Sequence, residues 1–302
     1  MSPEGATGEA HARAALAGNP SDGYGGAVLA VTLAEYSAQV KAERAERIEI
    51  RPPSSLVRAA VLRFAREHAA EAAQTVIRWS TSIPRSVGLG GSSAIVIALL
   101  RALCELYEVT LDRAHLAELA LAIEVQDLGI VAGLQDRVAQ SLGGLTFMDF
   151  AAGSASYETL DAALVPPLLV AWRTETARAS DAVHAPLRRR YEQGEAVVLS
   201  ALDELAALAR RARAALLSGD LDVFARCVDG SFDQRRKMLA LETRHVEMVY
   251  RARACGAAAN YAGSGGAIVA VCADRAQRQA VAVELAQLGC GTVAPALVAG
   301  SP

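Results

Sequence analysis

The stretch Ile83-Pro84-Arg85-Ser86-Val87-Gly88-Leu89-Gly90-Gly91-Ser92-Ser93-Ala94 decides how the rest of the chain is read. A strand-like segment, Thr75 to Ser82, runs into it, and an apolar run of helical periodicity, Ile95 to Leu103, leaves it. Glycines at such a junction let the backbone take positive φ and approach a ligand closely. The helix that follows turns its unpaired N–H groups and positive dipole end towards the loop. Ser92 and Ser93 add hydroxyls where an anion or its metal would lie, so the first reading is phosphate binding. A plain tight turn and a dinucleotide fingerprint compete with it. The fingerprint fits poorly, because Ser93 stands where glycine or alanine is expected and the loop lies deep inside the chain.

Bulk properties narrow the field. A chain of 302 residues has room for two domains of about 150 residues each. A hydrophobic share of 52% with 21% charged residues fits a globular protein. Net charge of −3 and few aromatics provide neither the electrostatic footprint nor the stacking platform of a nucleic-acid binder. No apolar run reaches the roughly 20 residues that span a bilayer, and Met1 to Ala10 lacks the basic and apolar regions of a signal peptide. Cysteines at 104, 227, 255, 272 and 290 form no CxxC pair, so reduced thiols and a cytoplasmic location are expected. Five scattered histidines argue against zinc. The two lysines, Lys41 and Lys237, both lie outside glycine-rich loops, which excludes a Walker A site; His-Arg-Asp and Asp-Phe-Gly, the protein-kinase signatures, do not occur.

Taken in order, Met1 to Ala10 reads as a tail and His11 to Ala17 as a strand. A turn cluster, Gly18 to Gly26, follows. Strands are expected at Ala27–Leu33, Tyr36–Lys41 and Arg47–Arg51, then a helix from a Ser54 or Ser55 cap to about His68. After the glycine loop come a helix over Leu111–Val125 capped by Asp112, a short helix from Gly133 through Ser141, and a strand over Leu145–Phe150. Ala151 to Ser156 is a linker candidate. Beyond it lie a strand at Leu168–Trp172 and helices over Ala185–Ala257, broken near Gly194, Ser218-Gly219 and Gly230. Strands at Asn260–Ala262, Ile268–Cys272 and Thr292–Leu297 and a helix over Asp274–Leu288 complete an α+β chain.

Three further stretches have chemical potential, each with an ordinary structural alternative. Gly133-Leu134-Gln135-Asp136-Arg137, with Glu124 upstream, offers two carboxylates flanking a glycine hinge, as transfer of phosphate to an alcohol requires. Arg13 to Gly26 concentrates polar groups in a turn. Gly263-Ser264-Gly265-Gly266-Ala267 precedes an apolar strand and reads equally as a bulge or a close backbone approach.

In this order the stretches resemble the three motifs of the GHMP small-molecule kinases: Arg13 to Gly26, Pro84-x-x-x-Gly88-Leu89-Gly90 through Ala94, and Tyr261 to Ala267. Gly91 stands where that family usually has serine. Closer still is the resemblance to the glucuronokinases, sugar-1-kinases known from plants. It rests on Leu16 to Asp22, Gly90 to Val96, Gly129 to Gln140, Gly143-Gly144-Leu145, Met148-Asp149-Phe150, Phe232-Asp233, Arg235-Arg236 and Gly263 to Ala267. One departure lies between Trp172 and His184, where the plant enzymes carry a lysine-bearing loop and this chain has Ala179-Ser180-Asp181-Ala182.

The resemblance implies a two-domain α+β GHMP kinase fold, with an N-terminal ribosomal protein S5 domain 2-like domain (residues 1–160) and a C-terminal ferredoxin-like α+β domain (residues 161–302). It implies ATP and Mg²⁺ as cofactors and a sugar as acceptor, most simply D-glucuronate, with a heptose phosphate or another small alcohol as alternatives. A non-catalytic nucleotide- or sugar-binding regulator and a dinucleotide oxidoreductase are readings from other classes. Asp136 and Arg13 match the catalytic positions. Pro84, Gly88, Leu89, Gly90, Gly91, Ser92, Ser93 and Ala94 would hold the ATP phosphates, and Ser92 with Glu124 the metal. Asn19, Ser21, Asp22, Tyr24, Gln135, Gly263, Ser264 and Gly265 would surround the sugar. A uronic acid needs a cation for its carboxylate, and Arg235 and Arg236 are the candidates. A monomer or homodimer acting away from membranes and nucleic acid is expected.

Overall fold

A computed structural model describes residues 4–151, 155–173 and 181–298. Its first sheet is built on an antiparallel pair, β1 (Gly5–Ala17) and β2 (Ala27–Arg44). β2 also pairs through Ala27–Val31 with β5 (Leu145–Asp149) and through Ala38–Arg44 with β4 (Thr75–Thr81). Strands β3 (Glu49–Arg51) and β6 (Ser156–Leu160) close the two edges, giving the order β3-β4-β2-β5-β6 with β1 against β2. Small residues on β1 have a packing reason. Helix α2 (Gly91–Leu106) lies so close to it that a side chain at Gly8 would overlap the Ala98 carbonyl.

Helix α1 (Ser55–Glu67) begins at Ser54, whose hydroxyl accepts from the Val57 N–H, and α3 (Arg113–Ala122) begins at Asp112, which accepts from the His115 N–H. A π-helical turn, Ile123–Asp127, extends α3, and α4 (Gln135–Leu142) leads to β5.

The chain leaves the first sheet at Leu160 and enters a second, antiparallel sheet at β7 (Leu168–Trp172). This sheet contains β8 (Ala258–Tyr261), β9 (Ala267–Val271) and β10 (Gly291–Val293), in the order β10-β7-β9-β8. Its helices are α5 (Asp181–Glu192), α6 (Ala196–Ser218), α7 (Leu221–Met238), α8 (Thr243–Ala254) and α9 (Arg275–Gln287). One apolar core joins the halves, with Leu208, Phe224, Ala262 and Val269 packed in the same cluster as Leu16 and Leu29. Arg210–Asp149 and Arg213–Glu158 ion pairs, at 2.8 and 2.5 Å, tie α6 to β5 and β6. Among the described residues no helix is long and apolar enough to cross a membrane.

Several sequence expectations change. Gly5 to Ala10 is strand rather than tail, paired with Glu43 to Ala38. Two strands expected over Ala27–Lys41 are one, because the register slips between His11 and Ala12 and leaves residues 34–36 of β2 unopposed by β1. Gly230 does not break α7. It lets Leu208 of α6 approach, and the helix stops at Met238 instead. The segment after the linker candidate forms the edge strand β6. Of Ala179-Ser180-Asp181-Ala182, residues 179–180 lie outside the described residues, and Asp181 opens α5.

Candidate active site

β1, the glycine loop, α4 and the loop after β8 meet at Arg13, a strand residue only 4% exposed. Its Nε and Nη2 donate to the two oxygens of Asp136 at 2.6 and 2.7 Å, a bidentate pair. Its Nη1 donates to the carbonyls of Gly88 and Ala262 at 2.7 and 2.8 Å. The second and third motifs interlock there. A side chain at Gly263 would overlap the Gly88 carbonyl, and one at Gly88 would crowd Ser264 and Gly265. Gly88 and Gly90 have φ of 77° and 73°, and α2 starts at Gly91, so the loop presents the N-terminus of a long helix.

Ser92 is exposed at the head of α2, and its hydroxyl donates to Glu124 Oε1 at 2.9 Å. Glu124 is buried in the π turn, where Arg137 Nε holds its other oxygen at 2.8 Å. Arg137 Nη1 donates to the Gly133 carbonyl at 2.7 Å, which fixes the hinge before α4. A hydroxyl and a carboxylate converging beside the glycine loop form an all-oxygen donor set. Mg²⁺ takes one or two protein oxygens of this kind and completes its shell with phosphate and water. Among the described residues no cluster of three or more His, Cys, Asp or Glu offers a richer metal cage.

A cavity runs from Ser92 and Glu124 past Asp136 to Asp22, Tyr24 and Arg235. Asp22 is buried. Its two oxygens accept from the Gln135 N–H at 3.2 Å and from Gln135 Nε2 at 3.1 Å. Burial pushes its carboxyl up to about 6, with the Asp136 charge adding to the rise. Gly133 is required beside it, since a Cβ there would overlap the carboxylate.

Arg235, from α7, is 1% exposed and lies over the Tyr261 ring at 5.3 Å. Its Nη1 donates to the Asn19 carbonyl at 3.2 Å, and its Nε is buried without a partner. Burial brings this guanidinium down to about 10, so it keeps its charge at neutral pH.

Other sequence candidates lie elsewhere. Arg236 is exposed and donates to the Tyr250 hydroxyl, because one step along a helix turns a side chain by about 100°. It does not line the cavity. Ser21 is fully buried, and its hydroxyl closes its own turn on the Ala27 carbonyl at 2.9 Å. The Ser93 hydroxyl donates back to Gly90 O at 3.1 Å, which leaves Ser92 as the serine that faces the cavity. Asn19 and Tyr24 line it, as do Gly263 and Ser264, whereas Pro84, Leu89, Gly91, Ala94 and Gly265 are not among its lining residues.

Three residues that hold or line the site were not singled out from sequence. Arg137 stood inside a quoted motif, but nothing marked it as the partner of Glu124. Gln140 Nε2 bridges the Gly90 and His11 carbonyls at 2.7 and 3.1 Å, a backbone contact that no sequence pattern encodes. Arg188, from α5, enters the cavity from a run of three arginines with nothing to distinguish its members.

The family model described as the GHMP kinases N terminal domain matches residues 55–144. Glucuronokinase 1 of Arabidopsis thaliana is 34% identical over 308 residues, covering 87% of this chain and 84% of that protein. The D-glycero-alpha-D-manno-heptose 7-phosphate kinase of Campylobacter jejuni is 43% identical over 70 residues, 23% of this chain and 21% of that one. The crystal structure of Lactococcus lactis galactokinase complexed with galactose shares the fold, with a TM-score of 0.82 at 15% identity, over 100% of this chain and 95% of that one. Sequence and fold agree: the chain belongs to the GHMP kinases, small-molecule phosphotransferases for which use of ATP and Mg²⁺ is typical.

Proposed function

We propose that this kinase phosphorylates the anomeric hydroxyl of a sugar acid, most simply D-glucuronate, to give the 1-phosphate. The observation that carries the reading is Arg235, a buried guanidinium with no carboxylate partner among the described residues, lining the cavity that Asp136 also lines. A buried charge without a carboxylate partner is costly, and an acidic acceptor group would offset that cost. The similarity to Glucuronokinase 1 over most of both chains supports the same reading.

In this reading residues 1–160 carry the phosphate loop and metal ligands, and residues 161–302 carry the cation that selects the acceptor. The Gly88–Ala94 loop and the N-terminus of α2 hold the ATP phosphates with N–H groups and dipole, where other kinases use a loop lysine. Ser92 and Glu124 hold Mg²⁺, which when bound neutralises charge on the phosphoryl oxygens. Asp136, locked by Arg13, accepts the hydrogen bond of the anomeric hydroxyl and aims that oxygen in line with the γ-phosphorus. The new bond joins sugar O1 to phosphorus as the bond from phosphorus to the ADP oxygen breaks, and the hydroxyl proton leaves through Asp136. Asp22 and Tyr24 contact the remaining hydroxyls.

ADP release measured over a panel of neutral, acidic and phosphorylated sugars tests the proposal. Turnover is expected with D-glucuronate, at a rate that Asp136→Asn lowers by about 1,000-fold with ATP binding kept. Turnover confined to neutral or phosphorylated sugars would overturn it.

A further inference from the structure

Pairing off the charges that line the cavity leaves a remainder. Arg13 is matched by Asp136, and Arg137 by Glu124. Left over are one carboxylate, Asp22, and two guanidiniums, Arg188 and Arg235. Both guanidiniums come from the second half, on α5 and α7, whereas Ser92, Glu124, Arg13 and Asp136 come from the first. Among the described residues neither has a carboxylate within ion-pair distance. Each donates to a single backbone carbonyl: Arg188 Nη2 to Gly23 and Arg235 Nη1 to Asn19, both at 3.2 Å.

We propose that Arg188 is a specificity residue that meets, from the open side of the cavity, the same acidic group of the acceptor that Arg235 meets from the buried side. The inference rests on the acidic-acceptor reading above. The Arg188 guanidinium lies over the Tyr24 ring at 4.9 Å, and Tyr24 leans on Tyr191 with ring centroids 4.6 Å apart. Stacking fixes the plane of a guanidinium without using its N–H groups, of which there are five in a rigid fork. The bond to Gly23 uses one. The edge that remains suits a carboxylate, whose two oxygens have lone pairs enough for both arginines.

In this arrangement the reacting hydroxyl lies at Asp136 and the acidic group at the two arginines, so the two sit on different carbons, as in a sugar acid phosphorylated at carbon 1.

A humbler role for Arg188 is to clamp the Ser21–Tyr24 turn through Gly23 and Tyr24, and selectivity separates the two roles. A turn clamp supports every acceptor equally, whereas an anion contact supports only the acid. Arg188→Met keeps a long side chain over Tyr24 without the charge, and Arg188→Lys keeps the charge without the fork. Steady-state kinetics with D-glucuronate and with D-glucose, at saturating ATP, provide the comparison. Arg188→Met is expected to raise KM for D-glucuronate by about 10- to 100-fold, the loss of a charged hydrogen bond. KM for D-glucose should change far less, and Arg188→Lys should recover much of the difference. Equal changes for both sugars, or none, would overturn the proposal. If Arg235→Gln abolishes a preference for the acid that Arg188→Met leaves intact, the proposal for Arg188 alone fails. If the unmutated kinase has no preference for the acid, the acidic-acceptor reading fails with it.

Discussion

Arg13 Nε and Nη2 grip the two oxygens of Asp136 at 2.6 and 2.7 Å, while Arg13 Nη1 reaches back to the carbonyls of Gly88 and Ala262. One side chain thereby ties Asp136, the proposed catalytic residue, to the glycine loop and to the loop after β8. A lysine at this position has the charge but not the fork. Arg13→Lys should lower kcat by roughly 100-fold, the scale of losing one preorganised polar contact in a site. KM for ATP should move much less, and steady-state kinetics read both. A lysine variant with unchanged kcat would show that the fork is dispensable.

Glu124 and Ser92 make a contrasting pair. Glu124 is 1% exposed and is the partner of Arg137, so Glu124→Gln leaves a buried guanidinium uncompensated. That should cost about 3 to 5 kcal/mol of stability and also raise the Mg²⁺ concentration needed for half-maximal activity. Ser92 is exposed, and Ser92→Ala should raise the Mg²⁺ requirement with little change in Tm. Thermal melts and Mg²⁺ titrations of the two variants separate metal binding from structure. An unchanged Mg²⁺ dependence in both would remove them as ligands.

Asp22 predicts a pH-dependent stability. Its carboxyl rises from 3.8 to about 6 on folding, because it is buried. Between those pH values the folded protein keeps a proton that the unfolded chain has lost, so this group's contribution to stability falls as pH rises and levels off above about 6. Asp22→Asn has no such titration. The variant's Tm minus that of the unmutated protein should therefore increase from about pH 4 to about pH 6 and stay level above. A difference that is flat or shrinks over that window would contradict the assignment.

Gly263 is constrained by contact rather than by φ. A methyl group there would overlap the Gly88 carbonyl and press on Arg13 Nη1. Gly263→Ala should lower Tm by roughly 5 °C and depress kcat, since the two loops must part to admit the methyl. Differential scanning fluorimetry with kinetics checks it, and a variant with unchanged Tm and kcat would show that the loops are not interlocked in solution.

The sequence was legible where local chemistry dictates structure. The Ser54 and Asp112 caps, the strand before the glycine loop and the helix after it needed only capping and periodicity. The family resemblance, rather than local chemistry, grouped Arg13, Ser92, Glu124 and Asp136, and they line one cavity. What escaped was set by partners far along the chain. The single long β2 depends on a register slip against β1, and the continuity of α7 through Gly230 depends on Leu208 of a neighbouring helix. Arg235 and Arg236 were indistinguishable as a pair. Only the rotation between adjacent helical positions buries the first over Tyr261 and exposes the second beside Tyr250. Arg188 was hidden for a similar reason, in a run whose members differ only in the face each takes.

The most direct test of the central claim is the ratio of kcat/KM for D-glucuronate to that for D-glucose, measured side by side in the unmutated kinase and in Arg235→Gln. A strong preference for the acid is expected, falling by about 100-fold in the variant, the scale of losing a desolvated charge partner. An unmutated enzyme indifferent to the carboxylate, or a preference that survives Arg235→Gln, would contradict it.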